Sequence, residues 1–143
     1  MRAVLTPLVV LLSLALFSTK AVAQCDAEVY SQKALKALQQ GYTFVKSYKI
    51  DGKNGARKNI EYTCVFSKDT NYMLRIEGKD GGAKGIVATL LDNQRQELTT
   101  NNLNGKSYPG WTYRCRSTGI YYILFSFKDS ESYCGAAVLG FKR

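Results

Sequence analysis

Short runs of alternating hydrophobic and polar residues dominate the chain after Gly41, and this pattern restricts its fold more than any other feature. A period of two places one face of a β-strand against a core. The intervening segments carry turn-forming residues, as in the Asp-Gly-Lys-Asn-Gly sequence at 51–55. The runs predict eight strands, over about 42–50, 60–66, 72–76, 86–91, 97–100, 111–116, 120–128 and 133–141. Such regularly spaced short strands indicate an antiparallel all-β sandwich or barrel.

The segment before these strands has the periodicity of an amphipathic helix. Ala27, Tyr30, Ala34 and Leu38 recur at helical spacing. Asp26 is suited to the N-cap, and Gly41 is suited to ending the helix. We therefore predict one α-helix over about 26–40. Because its apolar residues are small, we expect it to pack on the sheet of its own domain rather than on a membrane or a partner.

The N-terminus has the pattern of a secretory signal peptide. Arg2 provides the positive region, residues 8–17 the apolar region, and Ala21-Val22-Ala23 the small residues that signal peptidase recognises. This region of ten residues, interrupted by Ser13, is too short to span a bilayer, which needs about 20 apolar residues. We expect cleavage after Ala23, with residues 24–143 forming one secreted or periplasmic domain. Gln24 before Cys25 argues against a lipid-anchored cysteine.

Cysteines stand at 25, 64, 115 and 134. An even number in a small exported domain indicates two disulfides, with three possible pairings. A zinc site needs closely spaced ligands, whereas the closest two cysteines are 19 positions apart and the chain has no histidine. Cys64 and Cys115 occupy equivalent positions in two similar strand–turn–strand segments. We therefore expect the disulfides Cys64–Cys115 and Cys25–Cys134.

Three segments carry a resemblance to secreted β-sandwich domains. Residues 111–124, with an aromatic strand, a turn and a Gly-Ile-Tyr-Tyr strand, are similar to the end of pre-peptidase C-terminal domains, and residues 72–92 fit the middle of the same domain. The segment 134–142, with the cysteine-headed helix, resembles a group of uncharacterised secreted β-sandwich proteins of Bacteroidetes-type bacteria. The resemblance implies a jelly-roll-like β-sandwich and export, and it implies no activity.

The composition offers little for catalysis. Without histidine, no serine or cysteine triad of the usual kind can form. The acidic residues stand mostly in turns, and the turns at Asp51 and Asp80 lack the alternating oxygen ligands of a calcium loop, with Lys53 and Lys79 beside them. We expect no catalytic residue, no cofactor and no metal, and hence a protein that is not an enzyme.

Aromatic and basic residues provide the candidate binding surface. Trp111 and Cys115 share one face of their strand, which we expect to point inward, so Arg114 and Arg116 point outward. Tyr108 lies in the polar loop 101–110 and is the best candidate for an exposed aromatic residue. Tyr108, Arg114 and Arg116 are therefore the predicted site.

The expected ligand is another macromolecule, either a protein or a glycan. The formal net charge is +9, which falls to +7 when Arg2 and Lys20 leave with the signal peptide. Such a charge favours anionic surfaces at low salt. Because the basic residues are spread along the chain, we expect no nucleic-acid partner, and we expect a monomer. The alternatives are a structural or assembly component of the cell envelope and, less favoured, a glycan-acting enzyme.

Overall fold

Two four-stranded antiparallel sheets pack face to face in the computed structural model, which describes residues 24–143. The first sheet has the order β1-β10-β3-β8 and the second has the order β2-β9-β4-β5. The elements are α1 (Ala27–Lys36), β1 (Thr43–Asp51), β2 (Asn59–Phe66), β3 (Asn71–Gly78), β4 (Ile86–Leu91), β5 (Glu97–Thr100), β6 (Asn102–Leu103), β7 (Lys106–Ser107), β8 (Gly110–Arg114), β9 (Gly119–Phe127) and β10 (Cys134–Lys142). The predicted all-β sandwich with one helix is confirmed.

All eight predicted strands are present, and each belongs to one of the two large sheets. Every pairing between them is antiparallel. The loop predicted over 101–110 contains the two-residue strands β6 and β7, which pair only with each other among the described residues. Alternation alone cannot indicate such a hairpin, because two residues are too short to show a period.

The core lies between the sheets and is rich in aromatic rings. Phe66 stacks on Tyr72 with ring centroids 3.7 Å apart, and Tyr121 packs on Phe66 with centroids 5.0 Å apart. The Tyr72 hydroxyl accepts a hydrogen bond from the Ser67 backbone N–H, so its polar end is satisfied at the edge of the core. Each buried side chain of this size contributes about 1.5–3 kcal/mol of transfer free energy, which makes this cluster a major part of the stability.

Strand β10 is buried on both faces because α1 covers the outside of its sheet. Ala34 is fully buried against this sheet, and small residues of β10 let the helix approach closely. The predicted packing of the helix on the domain's own sheet is thus confirmed. Of the predicted stripe only Ala34 is buried, while Ala27 and Tyr30 are half-buried and Leu38 lies beyond the helix end. Asp26 occupies the N-cap, but its side chain makes no capping hydrogen bond within the described residues.

The helix is shorter than the predicted range of 26–40. It ends at Lys36, and the side chain of Arg75 on β3 donates a hydrogen bond from Nε to the Ala37 carbonyl oxygen at 3.0 Å. Leu38 then packs beside Gly140, where a Cβ atom would lie 2.8 Å from Leu38 Cδ2. Contacts with two distant strands therefore end the helix before Gly41 is reached.

One of the two predicted disulfides is formed. Cys25 and Cys134 are bonded, with a Cα–Cα distance of 5.5 Å, and the bond ties the start of the helix segment to β10. The predicted bond between Cys64 and Cys115 is wrong, because both are free thiols within residues 24–143. The Cys64 thiol lies 3.6 Å from the Tyr121 carbonyl oxygen, whereas the Cys115 sulfur lies 3.5 Å from the Tyr121 hydroxyl. The two sulfur atoms therefore contact opposite ends of Tyr121 and not each other.

The signal peptide predicted over residues 1–23 lies outside the described residues. Among residues 24–143, no helix is both long and apolar enough to cross a membrane.

Candidate functional site

A groove runs along the edge where β5 and β8, the end strands of the two sheets, face each other. We call it the β5–β8 groove. One half has a volume of about 380 Å³ and is lined by Arg75, Tyr108 and Trp111, among others. The other half has a volume of about 450 Å³ and is lined by Leu98, Thr99, Thr112, Tyr113, Arg114 and Arg116. Thr99 and Thr112 line both halves, so the groove is continuous.

All three predicted site residues line this groove, but they stand at its two ends. Tyr108 is 39% exposed and lies at the end of the groove near β7. Arg114 and Arg116 are exposed at the other end. The Lys106 ammonium lies 5.2 Å from the centroid of the Tyr108 ring, a cation–π contact that adds positive charge there. The site is therefore an elongated surface and not a compact pocket.

The inward and outward residues of β8 are as predicted. Trp111 and Cys115 are buried, while Thr112, Arg114 and Arg116 are exposed. Trp111 forms the inner wall of one half of the groove, and its indole Nε1 has no hydrogen-bond partner among the described residues. A buried donor without a partner costs about 1–3 kcal/mol of stability.

Sequence reasoning missed Asn101, which holds the loop that carries Tyr108. Asn101 is 1% exposed, and its side-chain amide donates hydrogen bonds at 3.1 Å to the carbonyl oxygens of Ile86 and Tyr108. Its side-chain oxygen accepts a 2.7 Å hydrogen bond from the Ala88 N–H. These bonds join both ends of the loop to β4. The sequence shows only an asparagine at the start of a polar loop. Asparagine is common there because its side chain forms turns, so its position alone does not indicate an anchoring role.

The groove is electropositive. Arg75, Arg114 and Arg116 line it, and no carboxylate does. Sequence reasoning also missed Arg75, because its strand is separated from β8 by more than 30 positions in the chain. Its guanidinium uses Nε to bind the helix end and brings a third cation to the groove.

The carboxylate paired with Arg114 is weakly held. Arg114 forms an ion pair with Asp69 at 3.6 Å, and the two side chains are 69% and 67% exposed. An exposed pair of this kind is worth about 0–1 kcal/mol, so an incoming carboxylate can replace Asp69 at little cost.

A second cavity of about 700 Å³ lies beside the Cys25–Cys134 disulfide and includes both turns considered for calcium. Asp80 accepts hydrogen bonds from the Ser130 hydroxyl at 3.1 Å and the Glu131 N–H at 3.0 Å. Burial raises the pKa of Asp80, but these bonds outweigh burial and lower that pKa below its ordinary value. Asp80 thus holds the loop before β10 in place. Residues 24–143 contain no cluster of three or more cysteine, aspartate or glutamate side chains that could bind a metal ion.

The buried titratable groups are poorly suited to catalysis. Burial raises the pKa of the Cys64 thiol to about 12, against a lowering by Lys46. Burial likewise raises the pKa values of the Tyr48 and Tyr121 hydroxyls. These groups are protonated near neutral pH, so the Cys64 sulfur is not a thiolate nucleophile. Their positions are those of core residues.

Comparison with known proteins gives likeness in fold only. No protein-family model and no curated protein matches the chain. Among solved structures, the chain is similar to Aeromonas hydrophila PliG, a periplasmic lysozyme inhibitor of g-type lysozyme, with 14% identity, a TM-score of 0.47, and coverage of 73% of this chain and 91% of that one. It is also similar to the pre-peptidase C-terminal domain of a Bacillus anthracis collagenase, with 15% identity, a TM-score of 0.42, and coverage of 71% and 87%.

Proposed function

We propose that the mature chain is an exported, non-catalytic binding module that recognises an acidic macromolecule through the β5–β8 groove. The observation that carries the proposal is the continuous groove with three arginines and no carboxylate in its lining. Charge of one sign along a concave surface raises the local concentration of an oppositely charged ligand. Arginine in particular binds carboxylates through two parallel hydrogen bonds.

The dimensions of the groove favour an extended ligand. Tyr108 lies before the first residue of β8, whereas Arg114 is the last residue of that strand. At about 3.3 Å per residue, four residue steps from Gly110 to Arg114 span about 13 Å, which suits several units of a polymer better than one small molecule. Tyr108, anchored through Asn101, provides an aromatic contact at one end.

Export is part of the proposal. The signal-peptide pattern at 1–23 motivates it, and the Cys25–Cys134 disulfide fits a protein that matures in an oxidising compartment. Protein secreted by its own signal sequence should begin at Gln24, either free or cyclised to pyroglutamate. Intact-mass measurement distinguishes this from a diacylated Cys25, which would contradict soluble export.

The binding proposal is tested with defined acidic probes on the 24–143 protein. Fluorescent polyglutamate and a set of anionic and neutral oligosaccharides are titrated by anisotropy. We expect an acidic probe to bind and to lose at least tenfold affinity in the Arg114→Ala/Arg116→Ala variant. A tenfold loss corresponds to about 1.4 kcal/mol, an ordinary value for a charged interface residue.

The matched control removes two cations from the opposite edge. Arg57 and Lys58 are exposed and immediately precede β2, which ends the second sheet on the side away from β5. Their double alanine variant has the same net charge as the groove variant and should bind as the wild type does. Equal losses in both variants would show attraction by net charge alone and contradict the proposed site. Binding to no acidic probe would also contradict it.

A further inference from the structure

The β8 strand offers free backbone groups along the β5–β8 groove. Hydrogen bonds run from the Cys115 N–H to the Thr70 carbonyl oxygen at 2.9 Å, and from the Ile76 N–H to the Pro109 carbonyl oxygen at 2.9 Å. In an antiparallel pair, the residues bonded to the partner strand alternate with residues that face away from it. The bonded residues of this strand are therefore the odd-numbered ones. The N–H and C=O groups of Thr112 and Arg114 point away from β3, toward the open edge.

The opposite edge of the sandwich is partly covered by side chains. There the Tyr62 hydroxyl of β2 donates a 2.7 Å hydrogen bond to the Lys49 carbonyl oxygen of β1, and the rings of Tyr48 and Tyr62 lie 4.9 Å apart. Strand β1 also carries an irregularity between Phe44 and Lys46, a device that protects edge strands from pairing. No hydrogen bond joins β5 to β8 among the described residues, and the pairing of β8 with β3 is regular.

We propose that β8 accepts an extended acidic segment of a partner protein as an added antiparallel strand. This inference rests on the proposed function, because it specifies the ligand class for the same groove. A residue of the added strand directly opposite Arg114 shares its hydrogen bonds and places its own side chain on the same face. A carboxylate at that position meets Arg114, which Asp69 holds only weakly.

The neighbouring residues of the added strand would meet a different surface. Their side chains point to the other face of the sheet, where Leu98 and Tyr113 line the groove. Leu98 is 36% exposed among the described residues, so apolar side chains of the added strand would cover its exposed surface. The groove therefore fits a strand in which acidic and apolar residues alternate. Such a strand would extend the first sheet from four strands to five.

The probe is a fluorescein-labelled decapeptide of alternating glutamate and valine. In the proposed register the glutamate N–H groups bond to β8, whereas the valine N–H groups face solvent. N-methylation of the glutamate amides should weaken binding at least tenfold, and N-methylation of the valine amides should change it less than threefold. Equal effects of the two modifications, or no binding of the unmodified peptide, would overturn the inference.

A proline substitution tests the same bonds from the side of the protein. Thr112→Pro removes an N–H that makes no backbone hydrogen bond among residues 24–143, and proline is tolerated on edge strands where its nitrogen faces outward. We expect peptide binding at least tenfold weaker than in Thr112→Ala, which removes the same side chain but keeps the N–H. In the wild type, hydrogen exchange of the Thr112 and Arg114 amides should slow when peptide is bound. Protection elsewhere with these two amides unchanged would contradict strand addition.

The outcomes separate this inference from the proposed function. In one outcome, the affinity for acidic probes depends on Arg114 and Arg116 but is unchanged by N-methylation and by Thr112→Pro. This result would leave the proposed function intact and refute strand addition. An anionic oligosaccharide that displaces the peptide and binds more tightly would assign the groove to glycans. Concentration-dependent self-association in sedimentation velocity, abolished by Thr112→Pro, would identify a second copy as the occupant. Each of these results overturns the partner proposed here.

Discussion

Replacement of Gly110 by alanine should separate β8 from β3. A Cβ atom at Gly110 would overlap the carbonyl oxygen of Leu74 and lie 2.8 Å from the carbonyl carbon of that residue. Carbon atoms in contact normally lie about 3.5–4.0 Å apart, and the overlap with the oxygen is more severe, so β8 must move by at least about 1 Å. The obstacle is backbone in the centre of a sheet, and a side-chain rotation cannot relieve it.

The expected cost follows from what that movement disturbs. Overpacking of a well-packed site costs about 1–3 kcal/mol. The movement also strains the backbone bonds at the neighbouring Trp111–Leu74 pair, and one such bond is worth about 1 kcal/mol. We therefore expect Gly110→Ala to lower the free energy of unfolding by about 3 kcal/mol, which with an m-value of about 2 kcal/mol/M moves the urea midpoint by about 1.5 M.

The assay uses the single tryptophan of the chain as its reporter. Trp111 is 6% exposed and follows Gly110 directly, so its fluorescence should change on unfolding. Gly119→Ala is the matched control: Gly119 begins β9, and a Cβ atom there meets no atom within 4 Å. We expect the control to lie within about 0.5 kcal/mol of the wild type. A Gly110→Ala midpoint equal to that of the control would refute the close approach of β8 and β3.

Three further predictions concern the cysteines and Asp80. The oxidised protein should weigh two hydrogens less than the reduced form, and Cys64 and Cys115 should react as free thiols after denaturation. A mass difference of four hydrogens would show that a second disulfide forms. Replacing Cys25 and Cys134 by alanine should cost up to about 4.7 kcal/mol in urea unfolding, since the bond closes a separation of 109 residues; a loss below 1 kcal/mol would contradict this. The lowered pKa of Asp80 implies stability that is complete above about pH 3.9 and lost as the pH falls through the folded-state pKa. The stability difference between wild type and Asp80→Asn should therefore shrink from pH 5 to pH 2, and a constant difference would refute the role of this carboxylate.

Local pattern predicted most of the fold. The alternation along 111–116 placed Trp111 inward and Arg114 outward without any knowledge of the partner strand, because side chains of a strand alternate whatever it pairs with. The same reasoning located all eight strands of the two large sheets and the presence of one helix before them. It also selected Tyr108, Arg114 and Arg116, which do share one surface.

Features that depend on contacts between distant residues could not be predicted from the sequence. The helix ends early because Arg75, on a strand that begins more than 30 positions later, takes the Ala37 carbonyl. Asn101 anchors its loop through residues of β4 that no local pattern connects to it. The repeated strand–turn–strand pattern aligned Cys64 with Cys115 in sequence, yet it could not show that the two sulfur atoms would contact opposite ends of Tyr121.

The sequence by itself determined the class of fold, the faces of the strands and the surplus of basic charge, since each follows from the order of residue types over a few positions. Tertiary structure decided which strands lie side by side. It brought β5 and β8 to one edge, added Arg75 to the two predicted arginines, and left the backbone of Thr112 open. The physical reason is that the free energy of pairing and packing depends on which distant segments come together. Alternation along one segment does not indicate which segment it pairs with.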